Sequence, residues 1–340
     1  MSAGFVDARA IVEGDVSIVE HRGRTGGCAI RAAPGRGAFV KRASRGGDGL
    51  DREAAMLERL EGRSIAPRLR AHDPRRGVLV AELLNGRSLE EVAVTLSGAS
   101  PDVAAGLGTA LAMLHTIPPG DDPPSSGAPE LPWAMSLHRP RLRDLEWLSE
   151  GSVDLIRGVQ RDAGICDLID AARGAWRQNT LIHGDVRWSN VVAADVEDAR
   201  DGQASVRLVD WELGGVGDPA WDVGSVLAQL VSDWAIVTLR TGRDRDVADE
   251  ALGHAHERSR AFLREYLPRA SRREPSAAFV ARACGFAGVR LLQLGIEIAQ
   301  ESPVGDRNAA SHIELGVGVL REPGIAMASL LGVPIAADAP

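Results

Sequence analysis

The sequence predicts an α+β chain of two lobes, a small β-rich lobe over residues 1–84 and a large helical lobe over residues 85–340. Three observations carry that expectation. Short apolar runs separated by Gly- and Pro-rich turns fill the N-terminal part, helical spacing takes over from Ser88, and a strand–turn–strand segment with a polar turn interrupts the helices around residues 180–192.

Ser17 to Arg22, Cys28 to Ala33 and Ala38 to Ala43 read as three strands of a meander. The turn between the first two carries Gly23, Gly26 and Gly27, and the next is Pro34-Gly35-Arg36-Gly37, both rich in residues that fix a turn or tolerate positive φ. Ala54, Met56, Leu57 and Leu60 recur at helical spacing behind Asp51, and Gly62 ends that helix. A second hairpin follows Pro67, turning at Pro74 to Gly77 into an apolar strand from Val78 to Leu84. Five strands and one helix therefore make the first lobe. Leu107, Ala110, Leu111 and Leu114 line one face of a helix in the second lobe. Residues 118–132 are rich in Pro, Gly, Ser and Asp and read as an exposed loop, either a lid or a disordered segment. Helical patterns resume over about 139–178 and again from Trp221 to about Leu331.

Composition excludes several classes. No apolar run reads as long enough to span a bilayer, and the N-terminal stretch has acids where an export signal needs a basic start, so a cytoplasmic protein without a membrane partner is expected. A net charge of −8 with no basic cluster argues against nucleic acid as a partner. Cys28, Cys166 and Cys284 are odd in number and far apart, which fits reduced thiols. Of 39 basic residues only Lys41 is a lysine. A planar guanidinium replaces an ammonium freely on a solvated surface but not where a compact charge must fit, so Lys41 is singled out.

The chemistry gathers between residues 181 and 224. Thr180-Leu-Ile-His183-Gly-Asp185-Val-Arg187-Trp-Ser-Asn190-Val-Val carries its polar residues at the turn, and Val206-Arg-Leu-Val-Asp210 is a second strand ending in an aspartate. Pairing the two strands brings Asn190 beside Asp210, with Asp185 on the preceding loop. Phosphoryl transfer needs a hard cation held by oxygen ligands, an acceptor for the proton of the attacking hydroxyl, and positive charge on the nucleotide phosphates. Asp210 with Asn190 is the candidate set for Mg2+, Asp185 the candidate base, and Lys41, paired with Glu53 of the next helix, the candidate phosphate contact.

His183-x-Asp185-x-x-x-x-Asn190 resembles the catalytic loop of the aminoglycoside phosphotransferase and choline kinase family, itself similar to protein kinases. Asp210-Trp-Glu212 resembles its metal-binding triplet, and Gly217-Asp218-Pro-Ala-Trp-Asp222 the segment whose aspartate braces the loop. Phe39-Val-Lys41-Arg, Arg52-Glu53, Glu82-Leu-Leu-Asn-Gly86 and Leu111-Ala-Met-Leu-His115 are similar, in order, to its third strand, helix glutamate, hinge and post-hinge helix. The resemblance covers residues from about 16 to 230 and implies a bilobal protein-kinase-like fold and an ATP- and Mg2+-dependent transfer to a hydroxyl. It further implies adenine on the hinge backbone near Glu82 and Leu84, a structural His183, and Asp222 as the brace. Gly23-Arg-Thr-Gly26-Gly27 departs from the spaced glycine loop of protein kinases. The Gly26 and Gly27 amides are candidates for a phosphate cradle, a plain hairpin turn being the alternative. Arg187 is a candidate for steadying the transferring group, against a surface ion pair, and the nearby tryptophans are core or acceptor wall.

The acceptor is not legible, because residues 120–180 and 245–330 carry no motif. A small hydroxyl compound is the first reading. Residues 210–225 also look like the stand-alone kinases of class V lanthipeptide pathways, which implies a precursor peptide phosphorylated on Ser or Thr for a separate lyase. A nucleotide-binding pseudokinase is the third, disfavoured by the joint presence of Lys41, Asp185, Asn190 and Asp210.

Overall fold

The computed structural model describes residues 16–21, 26–33, 36–43, 49–93, 100–119, 131–141, 145–146, 148–193, 206–242, 244–270, 274–302 and 304–333. The N-terminal part is a five-stranded antiparallel sheet of β1 (Ser17–His21), β2 (Gly26–Ala33), β3 (Arg36–Arg42), β4 (Leu69–Asp73) and β5 (Val78–Glu82), in the order β1-β2-β3-β5-β4. Helix α1 (Gly49–Arg59) follows β3 and buries Leu50, Ala54, Met56 and Leu57 together with a carboxylate, Glu53. β5 alternates buried and half-buried residues, which seats Leu79 and Ala81 in the core. Gly77 holds a φ of +60° at the β4–β5 turn, a conformation that a side chain disfavours.

Beyond Glu82 the chain crosses into the helical part. There β6 (Arg87–Ser88) pairs with β8 (Val191–Ala193), which pairs in turn with β9 (Val206–Leu208). Helix α2 (Leu89–Ala93) precedes α3 (Pro101–His115), where Ser100 accepts a hydrogen bond from the Val103 amide and Pro101 occupies the first turn. Then come α4 (Glu150–Arg161), α5 (Ala163–Gly174), β7 (Thr180–Ile182), β10 (Gly215–Gly217), α6 (Pro219–Arg240), α7 (Arg245–Arg269), α8 (Ser276–Glu301), α9 (Arg307–Arg321) and α10 (Pro323–Leu331). Asp218 caps α6 by accepting from the Ala220 amide. α8 crosses α9 at two glycines: a Cβ on Gly316 would stand 2.8 Å from the Gly288 carbonyl oxygen, so the close crossing depends on both lacking side chains.

Several expectations change. β2 begins at Gly26, because β3 runs on to Arg42 and supplies ladder partners for both glycines, Gly26 opposite Arg42 and Gly27 opposite Lys41. β5 ends at Glu82 rather than Leu84; of the helical stretch expected from residue 139, Leu145 is helical, 142–144 and 147 lie outside the described residues, and α4 starts at Glu150. α6 and α8 are, by length and composition alone, long and apolar enough to cross a bilayer, contrary to the sequence reading. Both lie mostly buried within the fold, and burial on nearly every side explains their apolar character. Most of the 118–132 loop, and the turn holding Gly23, lie outside the described residues.

Candidate active site

Lys41 sits in the middle of β3, flanked across the ladder by Gly27 and Leu79, and is 7 % exposed. Its Nζ lies 2.8 and 2.7 Å from the two carboxylate oxygens of Glu53 and 2.5 Å from Asp210 Oδ1. Burial alone would lower its pKa; the two carboxylates more than reverse that, and the ammonium is held above its ordinary value. An N-terminal strand, the following helix and a distant loop therefore meet on one charge.

Asp210 is the one non-glycine residue with positive φ among those described, at φ 66° and ψ 65°. Left-handed backbone is uncommon for a residue with a Cβ, though aspartate tolerates it better than most. Here it ends β9 and turns the carboxylate toward Lys41 while the chain enters a 3-10 turn, Trp211–Leu213. Asn190 lies opposite the residue before it: the Val209 amide donates to the Asn190 carbonyl at 2.9 Å, continuing the β8–β9 ladder by one residue.

The loop after β7 carries the rest. β7 pairs with β10, not with β8, a contact that spans the loop and that the sequence reading did not foresee. Asp185 Oδ1 accepts from Arg187 Nε at 3.1 Å and from Arg290 Nη2 at 3.3 Å, while Oδ2 accepts from Asn190 Nδ2 at 3.3 Å. Burial would raise its pKa; the guanidiniums of Arg290 and Arg187, with His183, outweigh this and hold it below the usual carboxylate range. Asp185 is thus an oriented anion. Arg187, raised above the ordinary arginine value by Asp185 and Glu297 despite its burial, stays charged.

His183 is fully buried and braces the loop from within. Its Nδ1 accepts from the Asp185 amide at 3.3 Å, so Nε2 carries the proton and donates to the Val209 carbonyl at 2.9 Å. Asp222, in the first turn of α6, accepts from the amides of His183 at 2.7 Å and Gly184 at 2.9 Å. The tryptophans lie behind the loop: the indoles of Trp211 and Trp221 donate to the carbonyls of Leu208 and Gly184, Trp188 to Asp233, and Trp234 to Ala248.

The structure brings together Lys41, Glu53 and Asp210, and beside them Asp185, Arg187, Asn190, His183 and Asp222. It does not bring in Gly26 and Gly27 as a turn, since both belong to the β2 ladder. Glu82 is engaged at the hinge: its amide donates to the Arg68 carbonyl at 2.8 Å, and its carboxylate accepts from the Arg68 amide and from Arg207 of β9 at 3.1 and 3.2 Å. Leu84 lies two residues beyond the end of β5. Glu212 points toward α1, where its Oε2 would lie 3.4 Å from a Cβ on Gly49. Three residues of α8, Arg290, Gln293 and Glu297, face the loop unannounced by any motif. Their spacing on one helical face is the only sequence trace they leave.

The model of the phosphotransferase enzyme family (APH) matches residues 29–277. No curated protein matches the chain. Among solved structures the fold is similar to an ethanolamine kinase of Plasmodium vivax, with a TM-score of 0.58 and 14 % identity over 94 % of this chain and 86 % of that one. It is also similar to a choline kinase of Cryptosporidium parvum, with a TM-score of 0.56 and 10 % identity over 94 % and 93 % of the two chains. An amicoumacin kinase in complex with AMP-PNP, Ca2+ and Ami gives a TM-score of 0.53 and 12 % identity over 94 % of each chain. A family match across more than half of the residues, on a kinase-like α+β fold, leads to one assignment: the chain belongs to the phosphotransferase enzyme family and is a kinase.

Proposed function

We infer that the chain transfers the γ-phosphoryl group of ATP to a hydroxyl of a small molecule, with Asp185 receiving the proton of that hydroxyl. The observation that carries this reading is the arrangement of Asp185 itself: an anion aimed by two guanidiniums and an amide, on a loop whose Asn190 adjoins the Lys41–Asp210 pair. Oδ1 already accepts from Arg187 and Arg290, whereas Oδ2 accepts, among the described residues, from Asn190 alone and keeps a lone pair for an incoming hydroxyl. In the transfer, the acceptor oxygen bonds to Pγ, the bond from Pγ to the β–γ bridging oxygen breaks, ADP departs, and the hydroxyl proton passes to Asp185. Lys41 contributes positive charge toward the nucleotide phosphates, and Glu53 keeps it directed when Asp210 is otherwise engaged.

ATP as donor is supported by the resemblance of the loop and by the AMP-PNP held in the amicoumacin kinase of similar fold. Asp210 and Asn190 fit Mg2+: both offer hard oxygen donors, they adjoin, and a magnesium site completed by phosphate oxygens and water needs few protein ligands. The ion, when bound, would screen phosphate charge.

The test is transfer of label from γ-labelled ATP with Mg2+ to panels of small hydroxyl compounds and of Ser/Thr peptides, with Asp185→Asn as control. Label on a small molecule that vanishes in the variant supports the reading. Label on peptides alone replaces it with a peptide kinase, and label that persists in the variant removes Asp185 from its role.

A further inference from the structure

Asp185, Arg187, Glu297 and Arg290 close into a ring of alternating charge. Arg187 Nη2 lies 3.0 Å from Asp185 Oδ1 and 3.1 Å from Glu297 Oε1. Arg290 Nη1 lies 3.6 Å from that same Glu297 oxygen, and its Nη2 returns to Asp185 Oδ1 at 3.3 Å. Two carboxylates and two guanidiniums cancel. Gln293, on the same face of α8, donates from Nε2 to Glu297 Oε1 at 2.8 Å, which fixes the orientation of its amide because a carboxylate only accepts. The side chain of Arg290 is 2 % exposed, whereas those of Arg187 and Glu297 are 32 % and 29 % exposed, so the latter pair forms the open side of the wall next to Asp185.

We propose that this wall selects an uncharged, polyhydroxyl-type acceptor, and that Glu297 is the specificity-determining residue because it holds Arg187 in a neutral ring. The proposal rests on Asp185 being the group that receives the acceptor hydroxyl. A cationic acceptor needs carboxylates with charge to spare, yet both carboxylates of this wall are already matched, and Arg187 would face the newcomer as a like charge. An anionic acceptor would sit against Asp185, Glu297 and the arriving phosphoryl group. Hydroxyls meet neither obstacle, since each both donates and accepts. Behind the ring, Arg290 Nε and Gln293 Oε1, one donor and one acceptor on the same helical face, are buried and have no hydrogen-bond partner among the described residues.

The experiment offers wild-type protein, Glu297→Gln and Arg187→Gln γ-labelled ATP with Mg2+ and three pools: uncharged sugars, polyols and nucleosides; amino alcohols and aminoglycosides; hydroxy acids and sugar phosphates. Label is expected in the uncharged pool, with kcat/KM for the hit about tenfold or more above its amino and carboxylate analogues. Glu297→Gln leaves Arg187 in excess and should shift the ratio about tenfold toward the carboxylate analogue; Arg187→Gln should shift it toward the amino analogue. Thermal unfolding verifies that each variant is folded, and the two opposite shifts keep the test alive if one variant is not. Label confined to a charged pool, or ratios unmoved in folded variants, overturns the proposal. So does a lack of label in every pool while ATP is hydrolysed to water in an Asp185-dependent way. Hydrolysis that survives Asp185→Asn, or no turnover of ATP at all, strikes the phosphotransfer reading and the proposal falls with it.

Discussion

His115 at the end of α3 and Asp222 at the start of α6 meet in the core, Nε2 to Oδ2 at 3.1 Å, although 107 residues separate them. The same Asp222 oxygen accepts from the His183 amide, its other oxygen accepts from Gly184, and His115 Nδ1 lies 2.7 Å from the Tyr266 hydroxyl of α7. The backbone of the candidate catalytic loop is therefore anchored through one fully buried carboxylate to His115 of α3 and, through it, to Tyr266 of α7. A loop that must present Asp185 and Asn190 in register gains its rigidity from behind.

Asp222→Ala should reveal that anchoring. A buried and a half-buried amide would lose their acceptor, at about 1–3 kcal/mol each, and urea unfolding should show a loss of about 3 kcal/mol. Asp222→Asn, which keeps one acceptor oxygen, should lose less. If Asp222→Ala unfolds like wild type, the anchor is redundant.

Lys41→Arg should cost about a hundredfold or more in kcat/KM for ATP, because a planar guanidinium does not fit between Glu53 and Asp210 at a site 7 % exposed. Steady-state kinetics at saturating acceptor decide it. A fully active variant would mean that the survival of one lysine among 39 basic residues marks nothing.

The sequence made local matters legible. The β1-β2-β3 meander, the helix after β3 and the β4–β5 hairpin follow from turn residues and apolar spacing, which act over a few residues. What it hid acts at long range. Gly26 and Gly27 read as a turn because glycines favour turns, but two ladder partners on β3 extend the strand through them. Arg290 and Glu297 sit in a helix whose apolar pattern announces core and gives no sign of which loop that face will meet. His115 likewise carries no sign in the sequence of the Asp222 it meets 107 residues on.

Gly184 has a φ of +83°, and a Cβ there would stand 2.5 Å from the Leu213 carbonyl oxygen. Gly184→Ala should therefore destabilise by about 2 kcal/mol or more from backbone strain and steric displacement together, and should lower kcat more than it raises KM for ATP. Thermal unfolding with parallel kinetics would check both. An unchanged kcat would show that Asp185 tolerates movement of its neighbour.

Asp233 supplies a pH dependence. Burial pushes its carboxyl up to about 6, against the lowering effects of the Trp188 indole and Arg258. The folded chain thus holds a proton that the unfolded chain, at an ordinary value of 3.8, has released. The stabilisation is complete below about pH 4 and is lost as pH rises through about 6, a change of about 2–3 kcal/mol. Urea midpoints at pH 4.5 and pH 7.5 (about one and a half units either side of that titration) should differ less in Asp233→Asn than in wild type. An equal difference in the two proteins would remove Asp233 as the source.

With one ε-amino group in 340 residues, and that one enclosed between two carboxylates, the exterior offers amine-directed chemistry nothing beyond the α-amino terminus. Lysine acetylation, ubiquitin attachment and acylating reagents all find their single internal target at the charge held between Glu53 and Asp210. An adduct mapped to Lys41 would report on access to that enclosed charge, with the α-amino terminus as the other amine to set apart.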